Sequence, residues 1–300
     1  MLLRNFLLAF IISGRRKNSE KQDTNYRFYF KNFTTPNMKN KVALIILLFS
    51  ALLSICWKTL EPNWINQQRG KYTLYYTPSD AKNIKIYSAM FNRSTHAVEK
   101  FCGTKLKQHF DIYVHPTRQS LDSTWQADWS MPGFTSECWM VASGVAKKLD
   151  IISPKLWDEI SCEHKYGNKT ETQQLITHEI FHVFHGQVNK SSDFSDTDGI
   201  DWFVEGFATY ASGQCNANRI AQVKKAISNK TCPNTLNDFW KGNLKYGLSG
   251  SVVMFIDKQY GRKKLLQLLP HNKKSKILQS LQLTEDELIA NWKQYLAGLP

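Results

Sequence analysis

The stretch Thr177-His178-Glu179-Ile180-Phe181-His182 decides how this chain of 300 residues is organised. It contains the pattern H-E-x-x-H, and residues four apart on a helix lie on the same face. The two imidazoles therefore point towards a common position, which suits a metal ion such as zinc. Between them, Glu179 can take a proton from a water on that metal. The apolar residues around the motif predict a helix, and Thr170 with Gln173 has the pattern of a capping box at its start.

A third ligand is needed, because a catalytic zinc usually has three protein ligands and one open position. Residues 201–210 read D-W-F-V-E-G-F-A-T-Y and place Glu205 twenty-three residues after His182. A glutamate in an apolar, helix-like run is costly to bury unless it is paired or binds a metal. We therefore predict that His178, His182 and Glu205 bind Zn²⁺.

These segments resemble the gluzincins, which are zinc peptidases with two histidines and a downstream glutamate. The stretch Glu205-Gly206-Phe207-Ala208-Thr209-Tyr210 is similar to the aminopeptidase-N-type signature. The short overall layout resembles the small peptidase MA-like proteins of bacteria. The resemblance covers residues 72–300, and its motifs lie within residues 177–210. It implies a zincin-like fold, a zinc site and the hydrolysis of peptide bonds.

By this resemblance His178, His182 and Glu205 would hold the zinc and Glu179 would be the catalytic base. Gluzincins often place a downstream tyrosine or histidine to stabilise the oxyanion, which makes Tyr246 a second candidate catalytic residue. Plain packing is the alternative for Tyr246.

The chain also departs from these families. The segment between His182 and Glu205 is four residues longer than is usual in aminopeptidase-N-type enzymes, and the excess falls in the polar loop 189–199. The G-x-M-x-N strand that binds a free amino terminus in that family is absent, so the sequence does not support an aminopeptidase. A metzincin would need a histidine where this chain has Val188.

Two nearby features imitate metal ligands. His185 lies on the same face as His182, but a fourth protein ligand would close a catalytic site, so we expect it to pack or to support a ligand. The acidic loop 193–199 imitates a calcium loop, yet its first ligand position would be Phe194, which cannot coordinate. We expect a solvated loop there.

The net charge of +14 is unevenly distributed along the chain. Residues 1–58 contain ten Lys or Arg and two Asp or Glu, so the remainder carries only a modest excess. No nucleic-acid motif accompanies it, and we expect no nucleic-acid partner.

An apolar run at residues 42–57, preceded by Lys39 and Lys41, predicts a signal anchor or transmembrane helix. Residues 1–41 are then a basic cytoplasmic segment, or they precede a true start at Met38. Residues 58–70 read as a linker, and residues 71–300 as the gluzincin-like domain. The positive charge before the anchor predicts an extracytoplasmic, membrane-tethered domain.

Five cysteines follow the anchor, and export would permit disulfides. The pairs closest in sequence are Cys138 with Cys162 and Cys215 with Cys232, which leaves Cys102 over. Spacing alone does not decide the pairing.

Strands are predicted at 72–77, 110–114 and 149–152, and a helix from Pro78 to about Cys102. Residues 116–144 read as irregular, with three tryptophans that either pack in the core or line a cleft. After the H-E-x-x-H helix the chain reads mostly helical, and Thr284 to Glu287 has the pattern of a capping box that opens the last helix. The class is therefore α+β, with a small N-terminal sheet and a helical C-terminal part.

The sequence predicts a zinc metallopeptidase acting on peptides or proteins. Two alternatives remain open. One is a zincin-like binding or scaffold protein of the cell envelope with an inert site. The other is a basic protein that docks on anionic polymers or lipids.

Overall fold

A mixed five-stranded sheet forms the N-terminal part of this computed structural model, which describes residues 62–299. The strands are β1 (Ile65–Arg69), β2 (Tyr72–Tyr76), β3 (Phe110–His115), β4 (Ala142–Val145) and β5 (Lys148–Ile152). They lie in the order β1-β2-β3-β5-β4. Strands β2, β3 and β5 are parallel, whereas β1 and β4 run antiparallel to their neighbours at the two edges.

Helices connect these strands and form the C-terminal half. They are α1 (Ile84–Cys102), α2 (Arg118–Asp128), α3 (Trp157–Ile160), α4 (Lys169–Gly186), α5 (Asp201–Ala211), α6 (Ala217–Ser228), α7 (Leu236–Phe239), α8 (Lys245–Tyr260), α9 (Arg262–Gln267), α10 (Lys274–Leu281) and α11 (Glu285–Ala297). The predicted α+β class is confirmed, with a small sheet followed by a mostly helical remainder.

The sheet buries one face because its strands alternate apolar and polar residues. Leu74, Ile112 and Leu149 are in register across β2, β3 and β5 and are fully buried. The ring of Tyr72 on the same face packs against Phe91 of α1 at a centroid distance of 6.1 Å. Helix α4 lies beside α1 and crosses the sheet at β4 and β5, which brings the H-E-x-x-H motif to one edge of the sheet.

The N-cap of helix α4 lies two residues before the predicted capping box. Asn168 is the N-cap, and its side-chain oxygen accepts a hydrogen bond from the Glu171 amide at 3.3 Å. The expectation that Thr170 caps the helix was wrong, because Asn168 offers the same capping chemistry earlier in the chain. Helix α4 therefore starts at Lys169.

Two segments predicted to lack regular structure contain elements. The prediction of a linker at residues 58–70 was wrong in its second half. Residues Ile65–Arg69 form β1, which pairs along its length with β2. Its side chains are mostly exposed, so backbone pairing and not apolar burial holds it in place. The segment 116–144, expected to be irregular, contains helix α2 and strand β4. Thr117 caps α2 by accepting a hydrogen bond from the Ser120 amide.

The C-terminal helices pack closely around α5. Gly206 of α5 faces α8, and a Cβ at this position would overlap the backbone carbonyl of Ser249. Glycine therefore permits the close approach of the two helices. The predicted capping box of α11 is confirmed: Thr284 Oγ1 accepts from the Glu287 amide, and the Glu287 carboxylate accepts from the Thr284 amide at 2.8 Å.

Of the two closest cysteine pairs, Cys138 and Cys162 form a disulfide. Cys102, Cys215 and Cys232 are free thiols. Within residues 62–299, no helix combines the length and the apolar character that crossing a membrane requires. The predicted anchor at 42–57 and the basic segment before it lie outside the described residues.

Candidate metal centre

Three side-chain atoms converge between α4 and α5. His178 and His182 lie one turn apart on α4, and their Nε2 atoms are 3.0 Å apart. Glu205 reaches them from the middle of α5, with Oε2 at 3.2 Å from His178 Nε2 and 3.4 Å from His182 Nε2. Ligand atoms about 2.0–2.1 Å from a tetrahedral zinc lie roughly 3.4 Å from one another. The three donors could therefore hold one metal ion of this size.

The ring of His178 is oriented by a loop residue. Its Nδ1 lies 2.9 Å from Oε1 of Gln214, just after α5. Because an amide oxygen only accepts hydrogen bonds, Nδ1 carries the proton and donates it. The Nε2 atom then presents its lone pair towards His182 and Glu205, which is the tautomer that a metal requires.

Glu205 is held in its charged form. Burial works to raise the pKa of its carboxyl, but the imidazoles of His182 and His178 outweigh burial and hold that pKa well below its ordinary value. A carboxylate with two imidazole nitrogens suits zinc, which binds nitrogen and carboxylate oxygen ligands in catalytic sites. The donor set therefore fits the predicted metal.

Glu179 lies beside this cluster on α4 but is not part of it. Burial raises the pKa of its carboxyl to about 7, against the opposing effect of His178 and with the help of Glu205. The amide of Gly144 in β4 donates a hydrogen bond to this carboxylate, which lowers the pKa and partly offsets burial. A carboxyl group with a pKa near neutrality can both accept and release a proton.

Tyr246, the second catalytic candidate, lies in the first turn of α8, with its ring near that of His178. The two ring centroids are 6.5 Å apart. Burial raises the pKa of its phenol well above the ordinary value, and the Glu205, Glu163 and Glu179 carboxylates add to the rise. The hydroxyl group therefore remains protonated and can act as a hydrogen-bond donor.

His185 lies apart from the cluster, in an aromatic environment. It is fully buried, and its Nε2 lies 3.1 Å from the Leu269 carbonyl oxygen. Its ring contacts those of Phe181, Phe194, Phe203 and Phe207. Burial and the neighbouring His182 lower the pKa of its imidazole to about 3. These contacts are those of a neutral core residue.

The loop after α4 packs against the aromatic environment of His185 through Phe194. Phe194, the residue at the first ligand position of the imitated calcium loop, is buried against the rings of His182 and His185. Asp193 accepts hydrogen bonds from the hydroxyl and amide of Ser195 within its own loop.

The three tryptophans of the segment 116–144 divide between core and site. Trp125 is buried and stacks on Trp129, with centroids 4.7 Å apart. Trp139 is half-buried, and the ammonium of Lys245 lies 4.2 Å from its ring centroid. Trp125 is therefore a core residue, half-buried Trp129 packs against it, and Trp139 lies next to the site.

A second constellation of catalytic type lies on the other face of the sheet. His115 Nδ1 is 2.9 Å from Ser120 Oγ, and His115 Nε2 is 2.9 Å from Asp150 Oδ1. His115 is fully buried, and Trp64 packs edge-on against its ring. A general base must reach its substrate, and a fully buried His115 does not. These hydrogen bonds therefore connect α2 to the sheet and have a structural role.

Sequence reasoning missed three residues around the cluster, which are Gln214, Gly144 and Lys245. None belongs to a motif, and each reaches the site from a separate part of the chain. For Gly144 a signal existed, since a glycine inside a strand often marks a close backbone approach. A Cβ at Gly144 would overlap the Glu179 carbonyl oxygen and come within 3.2 Å of His182 Cβ.

Comparisons with known proteins find similarity among solved structures only, and it is distant. No family model matches the sequence, and no curated protein matches it. Among solved structures, the chain is similar to an aminopeptidase N family protein from Idiomarina loihiensis, with 12% sequence identity and a TM-score of 0.37. The match covers 79% of this chain and 45% of that one, so the chain spans less than half the length of that protein.

Proposed function

We propose that this chain is a zinc-dependent peptidase of the gluzincin type, with a zincin-like fold. The observation that carries the proposal is the convergence of His178 Nε2, His182 Nε2 and Glu205 Oε2 within 3.4 Å of one another, beside the carboxyl of Glu179. The three donors form a ligand set, and Glu179 is a base that does not belong to that set.

In this proposal each residue has a separate task. Bound zinc would polarise the scissile carbonyl and lower the pKa of the attacking water. Glu179 takes the proton from that water and delivers it to the leaving amine, a shuttle that a pKa near 7 favours. His178, His182 and Glu205 hold the metal.

Tyr246 donates a hydrogen bond to the oxygen that gains negative charge in the transition state. Its hydroxyl group stays protonated, and its ring lies beside His178. A donor placed where negative charge develops typically contributes ~10²–10³ in rate.

The edge strand β4 receives the backbone of the substrate. The carbonyl of Val141 accepts a hydrogen bond from the Ile152 amide, and Ser143 pairs with Asp150 of β5. Ala142 and Gly144 alternate with these residues, so their polar backbone groups face away from β5. The Gly144 amide accordingly reaches Glu179. An extended peptide added at this edge would lie alongside the ligand set.

We also propose that residues 42–57 tether the domain to a membrane, with the site on the extracytoplasmic side. The Cys138–Cys162 disulfide supports this location, because disulfides persist in oxidising compartments. The substrates would then be extracytoplasmic peptides or proteins.

The test distinguishes residues that bind the metal from the residue that acts as the catalytic base. Glu179→Gln keeps the size of the side chain but removes the base, so zinc should stay near one per chain while turnover falls by at least ~10². Glu205→Ala removes an anionic ligand and should cost zinc and activity together. Chelator-treated wild type should behave like Glu205→Ala and recover with zinc.

Metal content and turnover are measured on one peptide found in a broad panel. Full activity of Glu179→Gln would rule out the proposed mechanism in which Glu179 is the general base. A zinc-loaded wild type that cleaves no peptide would favour the inert binding protein instead.

A further inference from the structure

Among the described residues 62–299, three aromatic rings lie around the ammonium group of Lys245, the first residue of α8, next to the candidate site. Its Nζ is 4.2 Å from the ring centroid of Trp139, 5.1 Å from that of Trp240 and 5.3 Å from that of Tyr246. Cations are attracted to aromatic faces at such distances. The rings therefore fix the position of the ammonium group.

This position bridges two sides of the site. Trp139 lies three residues before β4, the edge strand proposed to receive the substrate backbone. Trp240 and Tyr246 come from the helical half, and the ring of Tyr246 is 6.5 Å from that of His178. The ammonium is consequently no more than about 12 Å from the His178 ring. An extended peptide covers this distance in roughly three to four residues.

A second cation lies on the same side. The guanidinium carbon of Arg219 is 4.9 Å from the centroid of the Tyr246 ring, and Arg219 Nη1 donates to the Gln214 carbonyl at 2.8 Å. Both Lys245 and Arg219 are half-buried. The helical half therefore carries two cations that both contact the ring of Tyr246.

The acidic groups near Lys245 must be weighed against these cations. Burial lowers the pKa of the Lys245 ammonium, and Glu205, Glu163 and Glu137 act in the opposite direction. Glu205 belongs to the ligand set, and the carboxylate of Glu137 accepts a hydrogen bond from Trp139 Nε1 at 2.7 Å. Glu163 is exposed at the rim. An ammonium has three N–H donors, so Lys245 can bind a further carboxylate that approaches between the rings without giving up its existing contacts.

We propose that Lys245, assisted by Arg219, selects substrates that carry a carboxylate within about three or four residues of the bond that is cut. This inference rests on the proposed peptidase function and specifies its substrate class. The carboxylate is either the side chain of an acidic residue or the free C-terminus of a short peptide. Both present the same group to Lys245, and the test distinguishes them.

The cleavage experiment uses zinc-loaded protein and peptides matched in shape. One series has Glu or Gln at each position up to four residues from the cleaved bond, and the other has a free or an amidated C-terminus. We expect kcat/KM to favour the acid over its amide by about tenfold in one series, the size expected for a hydrogen-bonded charge. The series in which the acid is preferred shows whether Lys245 binds an acidic side chain or a free C-terminus.

The variants assign this preference to Lys245. Lys245→Met should reduce the acid-to-amide ratio to near one, whereas Lys245→Arg should keep most of it because the cation remains. Lys258→Met is the matched control, since Lys258 is exposed on the same helix, and it should leave the ratio unchanged. Glu163→Gln removes an opposing charge and should raise the ratio. Using a ratio cancels general losses of activity.

A binding experiment is independent of turnover. Affinities of the same peptides for the zinc-loaded Glu179→Gln variant are measured with and without Lys245→Met. Tighter binding of the acid, lost with Lys245→Met, supports the inference even where no peptide is cleaved and the peptidase function has failed. Cleavage without an acid preference, a preference that survives Lys245→Met, or equal binding of acid and amide would each overturn the inference.

Discussion

At the scale of single residues, the two helical histidines differ in what orients them. Gln214 fixes His178 by accepting from Nδ1, and Ser212 Oγ donates to the same amide oxygen at 3.2 Å. The ring of His182 instead packs against Phe194, with Nδ1 buried. Partners of this kind set the tautomer and raise the basicity of a ligand. Of the two proposed histidine ligands, His178 is therefore the one whose affinity for metal should depend more on a neighbouring polar residue.

Gln214→Leu should lower zinc affinity about 10–100-fold, because His178 loses the acceptor that holds its Nδ1 proton. Gln214→Glu keeps an acceptor and should retain zinc at least as well as the wild type. Gln174→Leu is the matched control, since Gln174 contacts the same loop at the Gly213 carbonyl but does not contact His178. Competition with a chelator of known affinity measures all four proteins. Equal affinity of wild type and Gln214→Leu would contradict this role.

His185→Ala should keep about one zinc per chain but destabilise the fold by roughly 2–4 kcal/mol. The imidazole fills a site among four phenylalanine rings and donates to the Leu269 carbonyl, so its removal leaves a cavity. His109→Ala, at an exposed position, should change stability by no more than about 0.5 kcal/mol. Urea unfolding and metal analysis provide both readouts. Loss of the metal with unchanged stability would show that His185 is a ligand.

At the scale of elements, the edge strand β4 and helix α4 form the proposed cleft. They approach closely because Gly144 has no Cβ, which allows the strand to lie against the backbone of Glu179. The same approach brings the Gly144 amide to the Glu179 carboxylate. One backbone position therefore sets both the packing of the two elements and the environment of the proposed base.

Gly144→Ala should displace β4 from α4 and lower both stability and turnover. The added methyl group meets the Glu179 carbonyl, a backbone atom that cannot rotate away, and overpacking of this kind costs about 1–3 kcal/mol. Gly167→Ala is the control, because a Cβ there meets nothing within 4 Å. Thermal unfolding and kcat/KM on one peptide measure the effect. A Gly144→Ala protein as stable and active as Gly167→Ala would refute the close approach.

Elements with strong local signals could be predicted from the sequence, and elements stabilised by distant partners could not. Alternation predicted β2, and the box at Thr284 predicted α11. Strand β1 has an exposed, polar sequence and exists because β2 pairs with it. The two short edge strands therefore escaped prediction, although β4 forms one side of the proposed cleft.

The same distinction applies to the site. The H-E-x-x-H spacing predicted that His178 and His182 share a face, and a buried glutamate predicted the convergence with Glu205. Gln214 and Lys245 could not be predicted in this way, because only the tertiary fold brings them beside the cluster. Their contacts depend on how loops and helix termini pack.

At the scale of the whole molecule, a disulfide and a half-buried arginine hold the segment between α2 and β4. Cys138 and Cys162 are joined across a sequence separation of 24 residues. The Arg118 guanidinium donates to Ser136 Oγ and to the carbonyls of Glu137, Met140 and Ile160. The segment that carries Trp139 is therefore fixed to the rest of the domain on both sides.

Replacing Cys138 and Cys162 together by serine should destabilise the domain by about 3 kcal/mol, the value expected for a loop of this length. Reducing agent should lower the stability of the wild type by a similar amount and leave the double variant unchanged. Urea unfolding with and without the reductant measures this. A reductant effect that persists in the double variant would exclude the disulfide as its origin.

The proposed membrane topology concerns the entire chain. Residues 1–58 hold ten Lys or Arg against two Asp or Glu, and the apolar run 42–57 follows Lys39 and Lys41. Positive charge before an apolar segment keeps that side in the cytoplasm. A reporter that is active only outside the cytoplasm should therefore be active when fused after residue 300, whether translation starts at Met1 or at Met38. Deletion of residues 42–57 should abolish this activity, and replacing Lys39 and Lys41 by glutamate should reduce it. A second reporter, active only inside the cytoplasm, provides the complementary measurement when fused at the same position. If this second reporter is active, the export proposal is wrong, and so is the proposed oxidising environment for the Cys138–Cys162 disulfide.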